Sequence, residues 1–276
     1  MPEGDTVWLV ARRLDEALAT QVLTGTDFRV PALATTDLSG RTVLGCVSRG
    51  KHLLLRVEGG LTIHSHLRMD GMWHLYRPGT RWAGGPGHDV RVVLSTEPWV
   101  AVGYRLPVLD LVATDREDDR VGHLGPDLLD PAFDRDEAVR RLLARPEREV
   151  GDALLDQTCL AGIGNVYKAE SLFLSGVSPG TPVGDVPDLG ALVDRARRLL
   201  EANKGHASQR TTGDPRRGHE HWVYGRGGRP CRRCGTRVAT ASQGVPPYDR
   251  VTWWCPRCQP GPAPTSGAHR SGRPGG

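Results

Sequence analysis

The sequence predicts an α+β protein of more than one domain, in which a helix and antiparallel strands precede a group of helices and a metal-binding hairpin. Three observations support this fold class. An amphipathic helical pattern covers residues 4–19, eight β-type runs fill about 21–113, and helical patterns recur between about 134 and 203. A four-cysteine pattern follows the last helix. With 276 residues, of which 38% are hydrophobic, the chain can bury the core of one large or two modest domains.

The N-terminal part combines one helix with strands. Apolar residues recur at helical spacing along residues 4–19 and form one face: Val7, Val10, Ala11, Leu14 and Leu18. From about residue 21 the pattern changes to short β-type runs, and Gly, Pro and Asp separate them at short spacing. Such runs indicate an antiparallel sandwich or barrel. Residues 114–125 are polar and acidic, which favours a link between domains.

The C-terminal part is predicted to be helical up to about residue 203. Helical patterns cover about residues 134–145, 150–157, 165–175 and 186–203. Residues 205–230 are rich in Gly, Arg and His, which predicts an exposed loop leading to the cysteines. Residues 260–276 are low in complexity and nearly free of apolar side chains, so we expect them to be disordered.

Basic charge is concentrated at the C-terminal end. Residues 201–276 contain 13 Lys and Arg against 4 Asp and Glu, whereas the whole chain has a net charge of +4. A basic region on an acidic body favours a polyanionic partner, although a solvated basic tail would have the same composition. The chain has no run of 18 apolar residues, and its N-terminus is acidic where a signal peptide would be basic. We therefore expect a soluble cytoplasmic protein without a membrane partner.

Four of the six cysteines follow the spacing of a zinc site. Cys231 and Cys234 form one C-x2-C pair, Cys255 and Cys258 form another, and 20 residues separate the pairs. Two such turns can direct four thiolates at one tetrahedral ion, which predicts one closed structural Zn2+ site. Two disulfides are the alternative reading of the spacing, but no export signal is present and cytosolic thiols stay reduced.

Two further segments could carry chemistry. Pro2 and Glu3 directly precede the first helix, and a proline followed by an acid is ordinary at a helix start. If Met1 is removed, however, Pro2 has a free α-amine with a pKa near ~8, which can attack an electrophilic sugar carbon. The turn at 160–165 places two glycines before a helix, so it could hold a phosphate or could simply join two helices.

Taken together, these motifs resemble one family. The motifs are MPEGDT at the start, Gly50-Lys51, the LGP at 124–126, GIGNVYKAE at 162–170, and C-x2-C-x20-C-x2-CQ at 231–259. They occur in the order seen in the formamidopyrimidine-DNA glycosylase/endonuclease VIII family of base-excision repair enzymes. The resemblance covers residues 1–259, and five motifs in register are far more specific than any one of them.

The resemblance implies a bifunctional DNA glycosylase and AP lyase of four parts. These are an N-terminal catalytic β-sandwich domain with the first helix (1–120), a helix-two-turns-helix DNA-binding domain (121–205), a loop with the four-cysteine zinc hairpin (206–259), and the disordered tail (260–276). Damaged double-stranded DNA would be the partner and would lie in the cleft between the two domains. We expect a monomer that is associated with the nucleoid in the cytoplasm.

Five site residues follow from the family motifs by position. Pro2 matches the nucleophile that displaces the base and forms an imine with C1′, and Glu3 matches the general acid that helps open the deoxyribose ring. Lys51 matches a lysine that contacts phosphate beside the lesion and takes part in catalysis. Asn165 matches a phosphate ligand in the helix-two-turns-helix turn. Arg250 matches the hairpin arginine that grips the phosphodiester flanking the everted nucleotide.

A sixth residue matches a region that family members use to fill the space of the everted base. Met69, within residues 68–71, is the best candidate because a flexible apolar side chain can fill an irregular gap in the base stack. His64 and His66 share one face of an alternating strand, and we assign them no catalytic or metal-binding role.

Two departures favour the endonuclease VIII branch. MPEGDT is closer to that branch than to the PELPEVE start of 8-oxoguanine enzymes, and residues 102–106 lack the Arg-Arg-Phe element of formamidopyrimidine-type members. We therefore predict removal of oxidised pyrimidines followed by β,δ-elimination. The alternatives are a formamidopyrimidine/8-oxoguanine-specific glycosylase and a non-catalytic zinc-containing binder of damaged DNA. A ribosomal or transcriptional zinc ribbon would explain only the last quarter of the chain.

Overall fold

The chain divides into two compact units, residues 1–123 and residues 124–276. The computed structural model describes residues 2–265, so the final part of the predicted tail, 266–276, lies outside the described residues. No helix among the described residues is both long and apolar enough to cross a membrane.

Unit 1 contains one long helix and two four-stranded antiparallel sheets. The helix is α1 (Gly4–Leu18), and the strands are β1 (Gly25–Phe28), β2 (Val43–Arg49), β3 (His52–Val57), β4 (Leu61–His66), β5 (Met72–Tyr76), β6 (Val90–Ser95), β7 (Val100–Tyr104) and β8 (Val108–Ala113). One sheet has the order β1-β6-β7-β5, and the other has the order β2-β3-β4-β8. The eight strands confirm the eight β-type runs. Of the two predicted arrangements, a sandwich or a barrel, the structure shows the β-sandwich.

The core of unit 1 joins α1 to both sheets. The predicted apolar face of α1 is buried except for Val10, which is half-buried. Leu14 of this face lies in one cluster with two residues of one sheet and two of the other: Leu55, Ile63, Val92 and Leu94. Each of these five side chains is at most 2% exposed. Truncating such a buried leucine to alanine typically costs about 2–5 kcal/mol, so α1 is held firmly with its first residues at a fixed place on the sandwich.

Unit 2 is built around a buried helix. The short helix α2 (Asp118–Val121) lies just before the boundary and belongs to unit 1. The helices of unit 2 are α3 (Arg135–Leu143), α4 (Val150–Ala153), α5 (Asn165–Ser175) and α6 (Leu189–Asn203). Asp134 and Asp188 cap α3 and α6 by accepting from the backbone N–H of the third residue of each helix. Every residue of α5 from Asn165 to Phe173 is buried, so this helix lies at the centre of the unit.

A hairpin completes unit 2. Strands β9 (Ala239–Gln243) and β10 (Arg250–Trp254) pair antiparallel, with Arg250 opposite Gln243. Beyond the hairpin, the Ser178 hydroxyl donates to the carbonyl of Pro262, and Thr265 donates to the carboxylate of Glu149. Residues 260–265 therefore contact unit 2, and the prediction of a disordered tail stays a prediction for the residues after them.

Two connecting segments make contacts that the sequence did not predict. The acidic segment 114–125 does not act only as a link, because Glu117 accepts from the Arg56 guanidinium at 2.8 and 2.9 Å and from the Thr62 hydroxyl at 2.7 Å. This contact fixes the segment to β3 and β4. The division between the units falls after His123, within the segment predicted as a link. The loop 205–230 is not exposed throughout, since Thr211 and Val223 are buried.

Candidate functional site

The first candidate residues lie where α1 begins. Glu3 is the residue before the first turn; its carbonyl accepts from the N–H of Val7 at 3.0 Å, and its backbone is extended. Its side chain makes no capping bond to the helix, yet the residue is fully buried. The structure therefore puts an acidic group beside Pro2 without using it to start the helix.

A cavity opens beside Pro2. It has a volume of about 360 Å³, within the size range of small-molecule sites. Its wall is mostly apolar with a few polar groups: Pro2, Thr6, Val10, Leu67, Met69, Asp70, Gly71, Met72, Trp73 and Arg105. The structure thus brings Pro2 and Met69, two residues predicted separately from the sequence, to the wall of one cavity.

Met69 lies at the tip of a tight turn between β4 and β5. The turn closes with a hydrogen bond from the N–H of Gly71 to the carbonyl of Leu67, at 2.8 Å. Gly71 is required here because a Cβ at this position would lie 2.6 Å from the Leu67 carbonyl oxygen. Met69 is 61% exposed, which is unusual for a large apolar side chain. Such exposure suits a side chain that inserts into a binding partner.

Lys51 lies at the turn between β2 and β3, outside the set of described residues that line the Pro2 cavity. Gly50 before it has a φ of +57°, a left-handed conformation that glycine adopts without strain. The positive charge of Lys51 contributes to lowering the pKa of His66, which places the ammonium group near that ring.

A cluster of histidines lies next to Lys51 on the sheet of β3 and β4. The ring nitrogens His52 Nδ1 and His64 Nε2 are 2.8 Å apart, and His64 Nδ1 lies 3.4 Å from the carboxylate of Asp110. The rings of His52 and His66 meet edge to face, with their centroids 4.8 Å apart. His64 is buried.

These histidines are neutral at physiological pH. Burial, together with the neighbouring His66 and His64, lowers the pKa of His52 to about 3. Burial also lowers the pKa of His66 to about 4, and the charges of Arg68 and Lys51 add to that shift. His66 Nδ1 accepts from the N–H of Arg68 at 2.9 Å, so the ring proton is on Nε2. Near pH 7, the His66 ring therefore carries its proton on Nε2 and no positive charge.

Asn165 and the strand of Arg250 come together in unit 2. Asn165 is the first residue of α5, and its side-chain Nδ2 donates to the carbonyl of Val251 at 2.8 Å. Arg250 is exposed, and its Nη1 donates to the carbonyl of Asp249. The amide of Asn165 thus anchors the strand immediately after Arg250, a contact that the sequence did not predict. Contact of either residue with phosphate stays a prediction.

Two hydrogen bonds from the side chain of Gln157 stabilise the turn before α5. Its Nε2 donates to the carbonyl of Ile163 at 3.0 Å, and its Oε1 accepts from the N–H of Gly162 at 3.1 Å. Gly162 has a φ of +94°, which only glycine adopts readily. The side chain of Gln157 therefore fixes the shape of the glycine-containing turn and the direction in which α5 begins.

The four predicted cysteines form one cluster. The Sγ atoms of Cys231, Cys234, Cys255 and Cys258 all lie within 4.8 Å of one another. An ion with Zn–S bonds of about 2.3 Å needs sulfur atoms about 3.8 Å apart in a tetrahedron. The observed pairs, Cys231–Cys258 at 4.0 Å and Cys234–Cys255 at 3.4 Å, bracket that value. The donor set and its geometry therefore fit a metal ion.

Sequence reasoning missed the structural importance of Glu170. This residue of α5 is fully buried, and its carboxylate accepts from the backbone N–H groups of Trp222, Val223 and Tyr224, each at 2.8 Å. It also accepts from the hydroxyl of Thr211. The only signal in the sequence is an acidic residue in a helix that is otherwise buried. Glu170 holds the loop before the hairpin, and Val223 packs in turn against Cys231 and Cys255.

Comparisons with known proteins agree with this architecture. Residues 1–106 match the formamidopyrimidine-DNA glycosylase N-terminal domain, and residues 124–204 match the H2TH domain of the same glycosylase. A probable endonuclease 8 2 of Streptomyces coelicolor is 59% identical over 99% of both chains. The DNA-(apurinic or apyrimidinic site) lyase Nei2 of Mycolicibacterium smegmatis is 46% identical, over 94% of this chain and 99% of its own.

A solved structure shows the same fold. Formamidopyrimidine-DNA glycosylase of Lactococcus lactis, bound to DNA that contains an AP site, superposes with a TM-score of 0.79 at 23% identity. The match covers 94% of this chain and 100% of that chain. The two domain matches and the identity to the Streptomyces relative show that the chain belongs to the formamidopyrimidine-DNA glycosylase/endonuclease 8 family of DNA-repair glycosylases and AP lyases.

Proposed function

We propose that the chain is a bifunctional DNA glycosylase and AP lyase that removes oxidised pyrimidines in base-excision repair. One observation carries the proposal: Pro2 lies on the wall of a cavity at the start of α1, with Glu3 buried directly beside it. The Glu3 side chain makes no capping bond to α1, so the helix start alone does not explain an acid at this position. The relatives named endonuclease 8 and AP lyase support the same activity.

The chemistry of Pro2 requires a free amine. After loss of Met1, the nitrogen of Pro2 attacks C1′ of the damaged nucleotide, and the bond from C1′ to the base breaks with its electron pair leaving on the base. Glu3 takes the proton that the nitrogen loses and delivers it to O4′ as the C1′–O4′ bond opens, and water protonates the departed base. An iminium between Pro2 and C1′ results. Successive β- and δ-elimination then expel both phosphates, and water releases the enzyme.

Cations and amides of both units would hold the DNA backbone. Lys51 in unit 1 and Arg250 in unit 2 carry the positive charges that we assign to phosphate contacts, and Asn165 is assigned to a phosphate next to the start of α5. Because Asn165 Nδ2 already donates to Val251, one of its two N–H groups remains for a phosphate oxygen. Met69 would fill the gap that the everted base leaves in the stack.

Zinc is the metal that we propose for the four-cysteine cluster. Four thiolates in a tetrahedral arrangement form a closed site, which leaves no position for a substrate. When bound, the ion would supply structural cross-linking of the hairpin and no catalytic step. The residues that hold it are Cys231, Cys234, Cys255 and Cys258.

The choice of lesion follows from the cost of eversion. Oxidation that saturates a pyrimidine ring destroys its aromaticity, so such a base stacks poorly and is everted at less than the few kcal/mol of an intact base. The missing Arg-Arg-Phe element also removes support opposite an everted purine. We propose thymine glycol and dihydrouracil as substrates, and damaged double-stranded DNA in the nucleoid as the partner of a monomeric protein.

Single-turnover excision on matched duplexes tests the proposed substrate class. Thymine glycol should be released faster than 8-oxoguanine opposite cytosine, and the strand should be left with a one-nucleotide gap and phosphate at both ends. Faster release of 8-oxoguanine than of every oxidised pyrimidine would favour the purine-specific alternative. Binding of damaged DNA without any base release would favour the non-catalytic alternative.

A further inference from the structure

Arg105 combines a rare backbone conformation with side-chain contacts to three other residues. It lies between β7 and β8 with a φ of +46°, a left-handed conformation that residues other than glycine adopt rarely. Its N–H donates to the carbonyl of Asp89 at 2.7 Å. The local structure therefore holds Arg105 in a strained conformation that directs its side chain.

Each nitrogen of the Arg105 guanidinium contacts another part of unit 1. Nη1 donates to the carboxylate of Asp89 at 2.7 Å, in an ion pair whose side chains are 33% and 18% exposed. Nε donates to the carbonyl of Asp70 at 3.3 Å, and Nη2 lies 3.6 Å from the sulfur of Met72. The rigid, planar guanidinium thus joins the start of β6 to the turn that precedes β5.

The turn that Arg105 contacts is the one that carries Met69. Besides the cavity beside Pro2, a second cavity of about 370 Å³ lies along this turn. Met69, Asp70 and Arg105 line both cavities. The exposed side chain of Met69 therefore lies between the two cavities. The guanidinium of Arg105 binds the backbone of Asp70, the residue after Met69.

We propose that Arg105 is a positioning residue that fixes the Met69 turn in the geometry in which Met69 enters the base stack. The proposal rests on the proposed glycosylase function. A short turn loses conformational entropy when its exposed apolar side chain inserts into the base stack. A turn that is already ordered loses less entropy, so insertion costs less free energy. Arg105 supplies that order through its contacts with Asp70 and Met72, and Asp89 anchors it.

The test compares base release with lyase chemistry. Arg105→Ala should slow single-turnover release of thymine glycol from a duplex by about tenfold, the size expected when a charged hydrogen bond is lost. Met69→Ala should slow it at least as much, because the side chain that enters the base stack is removed. In both variants, the loss in borohydride trapping of single-stranded abasic DNA should be smaller than the loss in base release, since that DNA has no stacked partner strand to wedge. Arg81→Ala, which removes an exposed arginine from the same unit, should leave both rates unchanged.

A double-mutant cycle decides whether Arg105 acts through Met69. If it does, the double variant should be no more than about twofold slower than the slower single variant, because the same event is lost twice. The proposal is overturned if the double variant shows the product of the two single-variant losses in the rate of base release. It is also overturned if either Met69→Ala or Arg105→Ala shows no loss. Asp89→Asn breaks the same contact from its other side and should reproduce the slow base release if Arg105→Ala does not fold.

Failure of this proposal differs from failure of the proposed function. A wild-type protein that forms no adduct with abasic DNA would refute the lyase itself. An active wild type whose Arg105 and Met69 variants show independent effects would refute only the positioning role. Arg105→Lys keeps the charge near Asp89 without the planar set of donors, and it should lie between the wild type and Arg105→Ala.

Discussion

Glu3 shows how one residue can satisfy a structural pattern and still require a functional explanation. A proline followed by an acid at the first turn is ordinary for a helix, and the sequence alone left that interpretation open. In the structure the side chain of Glu3 makes no capping bond, while the residue is completely buried. Burying a carboxylate costs free energy unless hydrogen bonds or an opposite charge offset the loss of water. The functional explanation that we propose is the place of Glu3 directly beside Pro2, whose amine is the proposed nucleophile.

Arg250 provides the residue-scale prediction. Arg250→Ala should weaken binding to damaged and undamaged duplexes alike and should reduce the slope of log K against log salt by about 0.9, because one phosphate contact and its released counterion are lost. Arg250→Lys is the matched control: it should keep the slope while losing affinity, since lysine retains the charge and lacks the bidentate geometry. A salt slope in Arg250→Ala equal to that of the wild type would mean that Arg250 contacts no phosphate.

At the scale of elements, α5 joins the separate motifs of unit 2. Its first residue, Asn165, donates a hydrogen bond to the carbonyl of Val251 in β10. The carboxylate of Glu170 accepts hydrogen bonds from three backbone amides of the loop before the hairpin. Phe173 on the same helix packs in the cluster that contains Cys231 and Cys255. The helix-two-turns-helix domain and the cysteine hairpin are therefore one packed unit, although the sequence separates them by a long polar loop.

Glu170→Gln tests this organisation. The amide has the same shape, but it carries no charge and replaces one acceptor oxygen with a donor, which faces backbone N–H groups that also donate. We expect a loss of about 2–4 kcal/mol in the free energy of unfolding, measured by chemical denaturation with tryptophan fluorescence. Glu147→Gln changes an exposed glutamate of the same unit and should be close to neutral. Equal stability of both variants would refute the anchoring role of Glu170.

Cys234→Ala tests the metal cluster. The variant should lose most of its zinc, and the hairpin that carries Arg250 should become susceptible to protease, because metal binding and ordering of such hairpins are coupled. Cys159→Ala is the control, since Cys159 is a buried cysteine of the same unit outside the cluster. Metal analysis that gives one zinc per chain in both variants would remove the four-cysteine site from the account.

For the whole molecule, periodic patterns were predictable and long-range polar contacts were not. The apolar face of α1 and the alternation in the strands repeat every few residues, so a single sequence reveals them. The cysteines were predictable because the ligands of one ion come in two short motifs. Arg105 and Asp70 are 35 positions apart, and Glu170 and Thr211 are 41 apart. A single polar pair at such separation leaves no periodic trace, so the residues that position Met69 and the hairpin appeared only in the structure.

The identity of the nucleophile is the claim on which the whole account depends. Borohydride added during reaction with duplex DNA that contains an abasic site should reduce the iminium and leave a stable protein–DNA adduct, which peptide mapping should locate on residue 2. Lys51→Ala should still form the adduct, whereas Pro2→Gly should form it much more slowly because glycine replaces the secondary amine with a primary one. Full trapping in Pro2→Gly together with its loss in Lys51→Ala would contradict the account and assign the nucleophile to Lys51.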